Sequence, residues 1–413
     1  MYGLPAGETW QATCNERFQA VGYNLMITIV LLDSDNDARM TLAAAMATFQ
    51  PEWTIHAVGT GTQALQLVRQ EAVDVVITET HLSDTTGFEF LGQVLLADDN
   101  VIRLTHSADL DAEIILESAR ANHRFIAKPA VTRQLVTSIE SSLKLRSLLT
   151  CESLLASVGN ITSIPALPAI YEEMMSELAS RNSTMGKLSD IVEGDAGLTV
   201  TVLKIVNSAF YGISRRVESV AQAVTLLGVH LIKNITLTAK VFSRFEGSEI
   251  SVKRLTELNN EAIKVGALSN QFARYAKLSK GIVDHCQIAG MLCNIGTLIA
   301  ISKIEDTTET TPVPNSILGA YVLRQWMMPD AIVEAIALQY EPQPQCVDTI
   351  SPRAILHTIR YLQEHYTDTA QQEQRLLCNE YLCHYVSESV AADWLDAYEA
   401  MGQLNATGSR RVA

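Results

Sequence analysis

The sequence predicts a multidomain protein, α/β followed by all-α: a doubly wound parallel sheet and then a helical domain. Three observations carry this. Short apolar, strand-like runs alternate with helix-length stretches from Met26 to Arg146. The strand signal ends near Thr150, and helical patterns then follow one another between Pro and Gly breaks. A chain of 413 residues, 47% hydrophobic, is also longer than one core needs. Strands separated by helices build a parallel sheet covered on both faces, and ligands of such sheets bind beyond the carboxyl ends of the strands.

Residues 1–25 show no sustained period and read as a poorly structured extension, with Met26 as the structural start and a candidate natural one. Strands are expected at Ile27–Leu32, Thr54–Val58, Val73–Thr78, Val101–Thr105 and Arg124–Ala127. Helices are expected between and after them at Asp37–Phe49, Thr62–Glu71, Gly87–Leu96, Asp111–Ala121 and Thr132–Leu145, closing a first domain at 26–146. No Pro or Gly interrupts Thr132–Val158. Leu135, Val136, Ile139 and Leu143 form an apolar stripe there, which Leu148, Leu149, Leu154 and Leu155 continue out of phase. The segment 132–158 therefore reads as a linker helix, continuous or broken near Thr150, with a face on which a second copy of the chain would pair.

The second domain, 159–350, is expected to hold helices at Ala169–Ala179, Met185–Glu193, Leu198–Ala209, Val220–Leu226, Leu231–Phe242, Leu255–Ala276, Cys286–Leu298, Ile317–Trp326 and Ala331–Gln339. Residues 351–413 read as two or three further helices ending in the tail NATGSRRVA.

Charge and cysteine usage exclude several function classes. Lys+Arg 31 against Asp+Glu 46 gives a net charge of −15, the wrong sign for a nucleic-acid or anionic-membrane binder. Seven dispersed cysteines with no CxxC pair argue for a reduced, cytoplasmic chain. No apolar run is expected to approach a spanning length. Neither GxxxxGK[ST] nor GxGxxG occurs.

The residues that end the strands carry the chemistry. Asp33, Ser34 and Asp35 end strand one, Glu79 strand three, Thr105 strand four and Lys128 strand five, so a doubly wound sheet gathers them in one pocket. With DVVITETHLSDTTGFEFL, in which an acid, a loop and Gly87 precede a helix, this resembles the receiver domain of two-component response regulators, a flavodoxin-like (βα)5 fold. The resemblance implies a phosphoacceptor position at Glu79, Mg²⁺ held by an acidic pair on strand one, phosphoryl oxygens bound by Thr105 and Lys128, and a switch aromatic at Phe125. Two positions depart from the pattern. Glu79 replaces the accepting Asp, and Ser34 replaces one Mg²⁺-binding acid.

Glu is one methylene longer and carries about one negative charge where a phosphoryl group carries about two. Ser34 removes a charged oxygen ligand from a cation that favours such ligands. A phosphorylation-independent pseudo-receiver without a cofactor is expected. An inert Glu79–Lys128 ion pair and a working Glu acceptor remain the alternatives.

In the helical half, SIPALPAIYEEM, DAGLTVTVLKIVNSAFYG with its Asn207-Ser208, SVAQAVTLLGVHLIKNI, IAGMLCNIGTLIAI and GAYVLRQWMMPDAIVEAIALQY resemble the HDOD family, degenerate relatives of HD metal phosphohydrolases. The resemblance places Asn260, Cys293, Asn294 and Gln339 at the degenerate HD positions, a poor metal-binding set. Asp284-His285 is a near-match read as surface or capping residues at a helix start, and His230, His357, His365 and His384 show no ligand spacing. The expected function is a non-enzymatic signalling protein, in which a receiver controls an HDOD output domain that binds other proteins. A histidine kinase or a second-messenger enzyme is the expected kind of partner, and a small ligand in the vacated cleft is a further expected partner class. The alternative is a residual HD-type phosphohydrolase or second-messenger phosphodiesterase under receiver control.

Overall fold

The computed structural model describes residues 27–98, 100–108, 124–128, 132–151, 154, 167–180, 183–207, 211, 217–245, 251–301, 313–326, 328–342, 350–366 and 372–408. The expected extension 1–25, the helix Asp111–Ala121 and Ser208 lie outside these residues.

Five strands, β1 (Thr28–Leu32), β2 (Thr54–Val58), β3 (Val75–Thr78), β4 (Ile102–Ser107) and β5 (Arg124–Ala127), form one parallel sheet in the order β2-β1-β3-β4-β5. Alternate residues feed two cores. Ile29, Leu31, Val75, Ile77 and Leu104 face Met46 of α1 (Asn36–Phe49) and Leu135, Val136 and Ile139 of α4 (Thr132–Leu149). Val30, Leu32 and Val76 face Ala64 and Val68 of α2 (Gly61–Gln70) and Phe90, Leu91 and Val94 of α3 (Gly87–Ala97). The chain leaves β1 to one side for β2 and to the other for β3, which opens a crevice at their carboxyl ends. The helices begin at sequence-encoded caps: Asp35 for α1, Thr60 for α2, and Thr86 with Glu89 in a capping box for α3.

Helix α4 stops at Leu149, where Thr150 turns its hydroxyl back onto the Arg146 carbonyl at 2.9 Å. Of the two forms expected for 132–158, the described residues match the one broken near Thr150. The phase slip has a packing cause. Leu135, Val136 and Ile139 pack on the sheet, whereas Leu145, Leu148 and Leu149, with Leu154 beyond the helix, belong to the core of the helical domain. Among the described residues, the members of this stripe pack within one chain.

The helical domain comprises α5 (Ala169–Ala179), α6 (Met185–Glu193), α7 (Ala196–Val206), α8 (Val220–Leu227), α9 (Val229–Ser243), α10 (Val252–Tyr275), α11 (Lys280–Leu292), α12 (Ile295–Ile301), α13 (Asn315–Gln325), α14 (Asp330–Ala337), α15 (Pro352–His365), α16 (Gln372–Leu382) and α17 (Glu388–Gly408). Met174, Val192, Val202, Val224 and Ile232 make a smaller apolar cluster. Leu268, Phe272, Leu323, Ile336, Ile359 and Trp394 belong to a larger one.

Three expectations are corrected here. The helix Cys286–Leu298 is two helices, broken where the Asn294 side chain donates to the Leu258 carbonyl at 3.3 Å. Helix α17 runs through Gly408, into the expected tail. The stretch Lys280–Ile301 does reach the length and hydropathy of a membrane span, but 78% of its apolar window is buried inside the protein.

Candidate functional site

The crevice at the carboxyl edge of the sheet is organised by Lys128. Its ammonium donates to Asp33 Oδ2 at 2.7 Å and to Glu79 Oε2 at 2.5 Å. The other carboxylate oxygens are also held: Asp33 Oδ1 accepts from the Asp35 amide, and Glu79 Oε1 from the Thr80 amide, each at 2.9 Å. Burial disfavours the Lys128 charge, but the two carboxylates outweigh that and raise its pKa above the ordinary 10.5.

Thr105 lies beside Glu79's strand, paired in register with Thr78. It is not the end of β4, as expected, because the strand continues to Ser107. Its buried Oγ1, 1% of the residue being exposed, has no hydrogen-bond partner among the described residues, and neither has the Thr80 hydroxyl. Phe125 sits in β5, but its side chain lies outside what the structure describes. Gly87 is required where it stands, since a Cβ there would meet the Glu79 carbonyl oxygen at 2.3 Å.

Ser34 is exposed, and its hydroxyl accepts from the Ser83 amide at 3.0 Å. Asp35, the nearest spare acid, is spent on capping α1 through the Asp37 and Ala38 amides at 2.9 and 3.1 Å. An ammonium therefore lies between the two acids that a divalent cation would need, and the third acid faces a helix end. These residues do not fit Mg²⁺.

In the helical domain, three of the four degenerate positions meet around a residue that sequence reasoning missed. Arg360 of α15 donates from Nε to Gln339 Oε1 at 2.9 Å, from Nη2 to Asn294 Oδ1 at 3.1 Å, and from Nη1 to Glu261 Oε1 at 2.5 Å and Gln363 Oε1 at 2.8 Å. Asn294 also donates to Glu261 Oε2, and Gln339 to the Cys293 carbonyl. Asn260 is corrected: it is exposed on α10, and its neighbour Glu261 takes the inward place. Burial pushes the Cys293 thiol up to about 11. Burial also opposes the Arg360 charge, yet Cys293, Tyr340 and Glu261 around it hold its pKa above the ordinary value.

Two model matches decide the family. The receiver-domain model of response regulators matches residues 29–140, and the HDOD-domain model matches residues 164–312. The chain carries a receiver domain and an HDOD domain. An uncharacterized protein of Treponema pallidum (strain Nichols) is 22% identical over 207 residues, which are 45% of this chain and 40% of that protein. YuxH of Bacillus subtilis (strain 168) is 26% identical over 151 residues, 36% and 34% of the two lengths. The matches thus span less than half of these curated relatives.

Among solved structures, a protein of Shewanella amazonensis SB2B, provisionally named a metal-dependent phosphohydrolase, is 20% identical with a TM-score of 0.47, over 61% of this chain and 97% of that one. The receiver domain of an HD domain-containing protein from Pseudomonas fluorescens Pf-5 is 24% identical with a TM-score of 0.28, over 29% and 96%.

Asn207 of the HDOD domain ends α7 and clamps the chain entering α8. Its amide donates to the Leu203 and Val217 carbonyls, and its Oδ1 accepts from the Val217 amide, all at 2.8 Å. Asp284 is corrected from a surface or capping residue. It is largely buried between the two apolar clusters, where Lys233 Nζ reaches it at 3.1 Å and Asn234 Nδ2 at 2.6 Å, with His230 Nδ1 at 3.5 Å. Burial opposes its charge, but these partners hold its pKa below the usual carboxylate range. His357 is also engaged, with Nδ1 facing the Gln339 carbonyl and Nε2 the Tyr381 hydroxyl at 2.6 Å. No cluster of His, Cys, Asp and Glu suited to a metal occurs among the described residues. Around Arg360 the donor set is amides, one carboxylate and a cation, which does not fit a catalytic metal.

Proposed function

We propose that this receiver–HDOD signalling protein works without catalysis, the receiver being phosphorylation-independent and the HDOD domain acting by binding another protein. The observation that supports it most is the Arg360 guanidinium, bonded to Asn294 and Gln339, at positions where the HD resemblance places metal ligands, and to Glu261. A fixed cation among carboxamides repels a metal and generates no hydroxide. At the receiver, the Glu79 carboxylate and Lys128 are already joined, which supports a constitutive pocket. A histidine kinase or a second-messenger enzyme is the proposed class of partner.

Two measurements test this reading. Incubation with a small phosphodonor and Mg²⁺, followed by intact-mass analysis, is expected to show no phosphoryl adduct; a stable adduct overturns phosphorylation independence. Elemental analysis of the purified chain is expected to return no stoichiometric Fe, Mn or Zn. Stoichiometric metal with phosphodiester hydrolysis would establish the phosphohydrolase reading instead.

A further inference from the structure

We propose that the turn Leu338–Pro342 couples the receiver to the buried Arg360 cluster of the helical domain: it carries Gln339, held by Arg360, and Glu341, held by Lys144 of the interdomain helix. The use of this coupling rests on the signalling reading, but the coupling itself is a property of the fold.

Helix α4 grips both domains within one turn. Arg146 Nη2 bonds Asp74 Oδ1 at 2.6 Å in the receiver, and Asp74 Oδ2 in turn accepts from the Thr28 amide at the start of β1. Two residues earlier, Lys144 Nζ bonds Glu341 Oε2 at 2.5 Å in the HDOD domain. Both contacts are partly buried, with side-chain exposures of 22–27%, so screening by salt is incomplete.

The turn that carries Glu341 is tied to one face of α15 at three points. Arg353 Nη2 donates to the Pro342 carbonyl at 2.9 Å, His357 Nδ1 faces the Gln339 carbonyl at 3.3 Å, and Arg360 Nε holds the Gln339 side chain. Positions 353, 357 and 360 recur on the helical period, so a single face presents all three. A displacement of Glu341 is therefore carried through a two-residue step to Gln339, and from there to Arg360 and the Cys293 carbonyl. Polar links of this kind have discrete bonded and broken arrangements, and packed interfaces too are bistable rather than continuously deformable.

Cys293 supplies a reporter beside the cluster. It is buried, as are Cys286 and Cys378 elsewhere in the same core. The rate at which N-ethylmaleimide labels each cysteine in the full chain, read by peptide mass, separates local opening from global unfolding. Lys144→Glu is expected to raise Cys293 labelling about fivefold, with Cys286 and Cys378 unchanged. The double variant Lys144→Glu/Glu341→Lys is expected to restore the parent rate. Lys144→Met removes the charge without reversing it and gives the same comparison should the reversed charge prevent folding. Unchanged Cys293 labelling, an equal rise at all three cysteines, or no rescue by the exchanged pair overturns the coupling. Labelling reads geometry alone, so a phosphoryl adduct or a bound metal would count against the signalling reading without touching this result.

Discussion

Lys128 shows how one side chain sets the chemistry of the receiver pocket. Its raised pKa means that the ion pairs stabilise the fold fully below pH 10.5 and progressively less as pH rises through the folded-state value. Glu79→Gln leaves the ammonium with Asp33 alone and is expected to lower stability by about 1–2 kcal/mol at neutral pH. Urea midpoints across pH should show the gap between parent and variant narrowing above pH 10.5. Next to Thr105, His106 has its pKa pushed down to about 4 by burial, with Lys128 adding to the effect. The unfolded chain then binds the proton more readily, so His106 reduces stability as pH falls from about 6.5 to about 4, by up to about 3 kcal/mol. An imidazole NMR resonance titrating near pH 4, and absent from His106→Gln, checks this; a midpoint near 6.5 sinks it.

Residues that close a strand are easy to find in the sequence, because the period of two and the topology together fix where they point, as for Asp33, Glu79 and Lys128. Helical positions are harder, since a shift of one residue turns the side chain by about 100°. That shift is the difference between exposed Asn260 and inward Glu261. Arg360 carried no local signal for this cluster, because Gln339, Asn294 and Glu261 lie 21, 66 and 99 residues away in the chain.

Among the elements, α12 and α13 meet closely at Gly296. A Cβ on Gly296 would lie 1.7 Å from the Asn315 carbonyl oxygen, whereas nothing lies within 4 Å of one on Gly92 in α3. Gly296→Ala is expected to cost about 3 kcal/mol, or to prevent folding, by forcing the two helices apart. Gly92→Ala is expected to stabilise by about 0.5–1 kcal/mol through helix propensity alone. Denaturant midpoints of the two variants should move in opposite directions. Helices such as Ala169–Ala179 and Met185–Glu193 were legible to the residue, because an apolar stripe agrees with Pro168 before the first and with the Thr184 cap of the second. The break at Cys293–Asn294 was not, since the sequence around it is uniformly apolar and only the contact of Asn294 with Leu258 shows why the helix ends. The phase slip in α4 was visible, but its cause lay in a second domain.

Over the whole molecule, the last three helices pack into the same apolar cluster as the helices before them. Trp394 of α17 stacks on Phe272 of α10 with ring centroids 4.7 Å apart, and its indole N–H donates to the Phe272 carbonyl at 3.0 Å. Ile355, Leu356, Ile359 and Leu362 of α15 are buried in the same cluster. A chain ending at Ile350 would expose that surface, so it is expected to aggregate while the receiver keeps its fold. Light scattering together with hydrogen exchange of the sheet amides checks both halves of the statement. A soluble, cooperatively folded truncation would show that the core closes without these helices.

A guanidinium built into the helical domain differs from a bound metal in where its charge comes from. A metal centre fills by diffusion and empties to a chelator, so its occupancy follows the surrounding medium. Arg360 is part of the polypeptide, its charge persists across the pH range in which proteins fold, and it holds Glu261, Asn294 and Gln339 from the moment the chain closes. On the proposed non-catalytic reading, scarcity of iron or manganese leaves this cluster unchanged, and the charge at its centre is supplied by the chain itself.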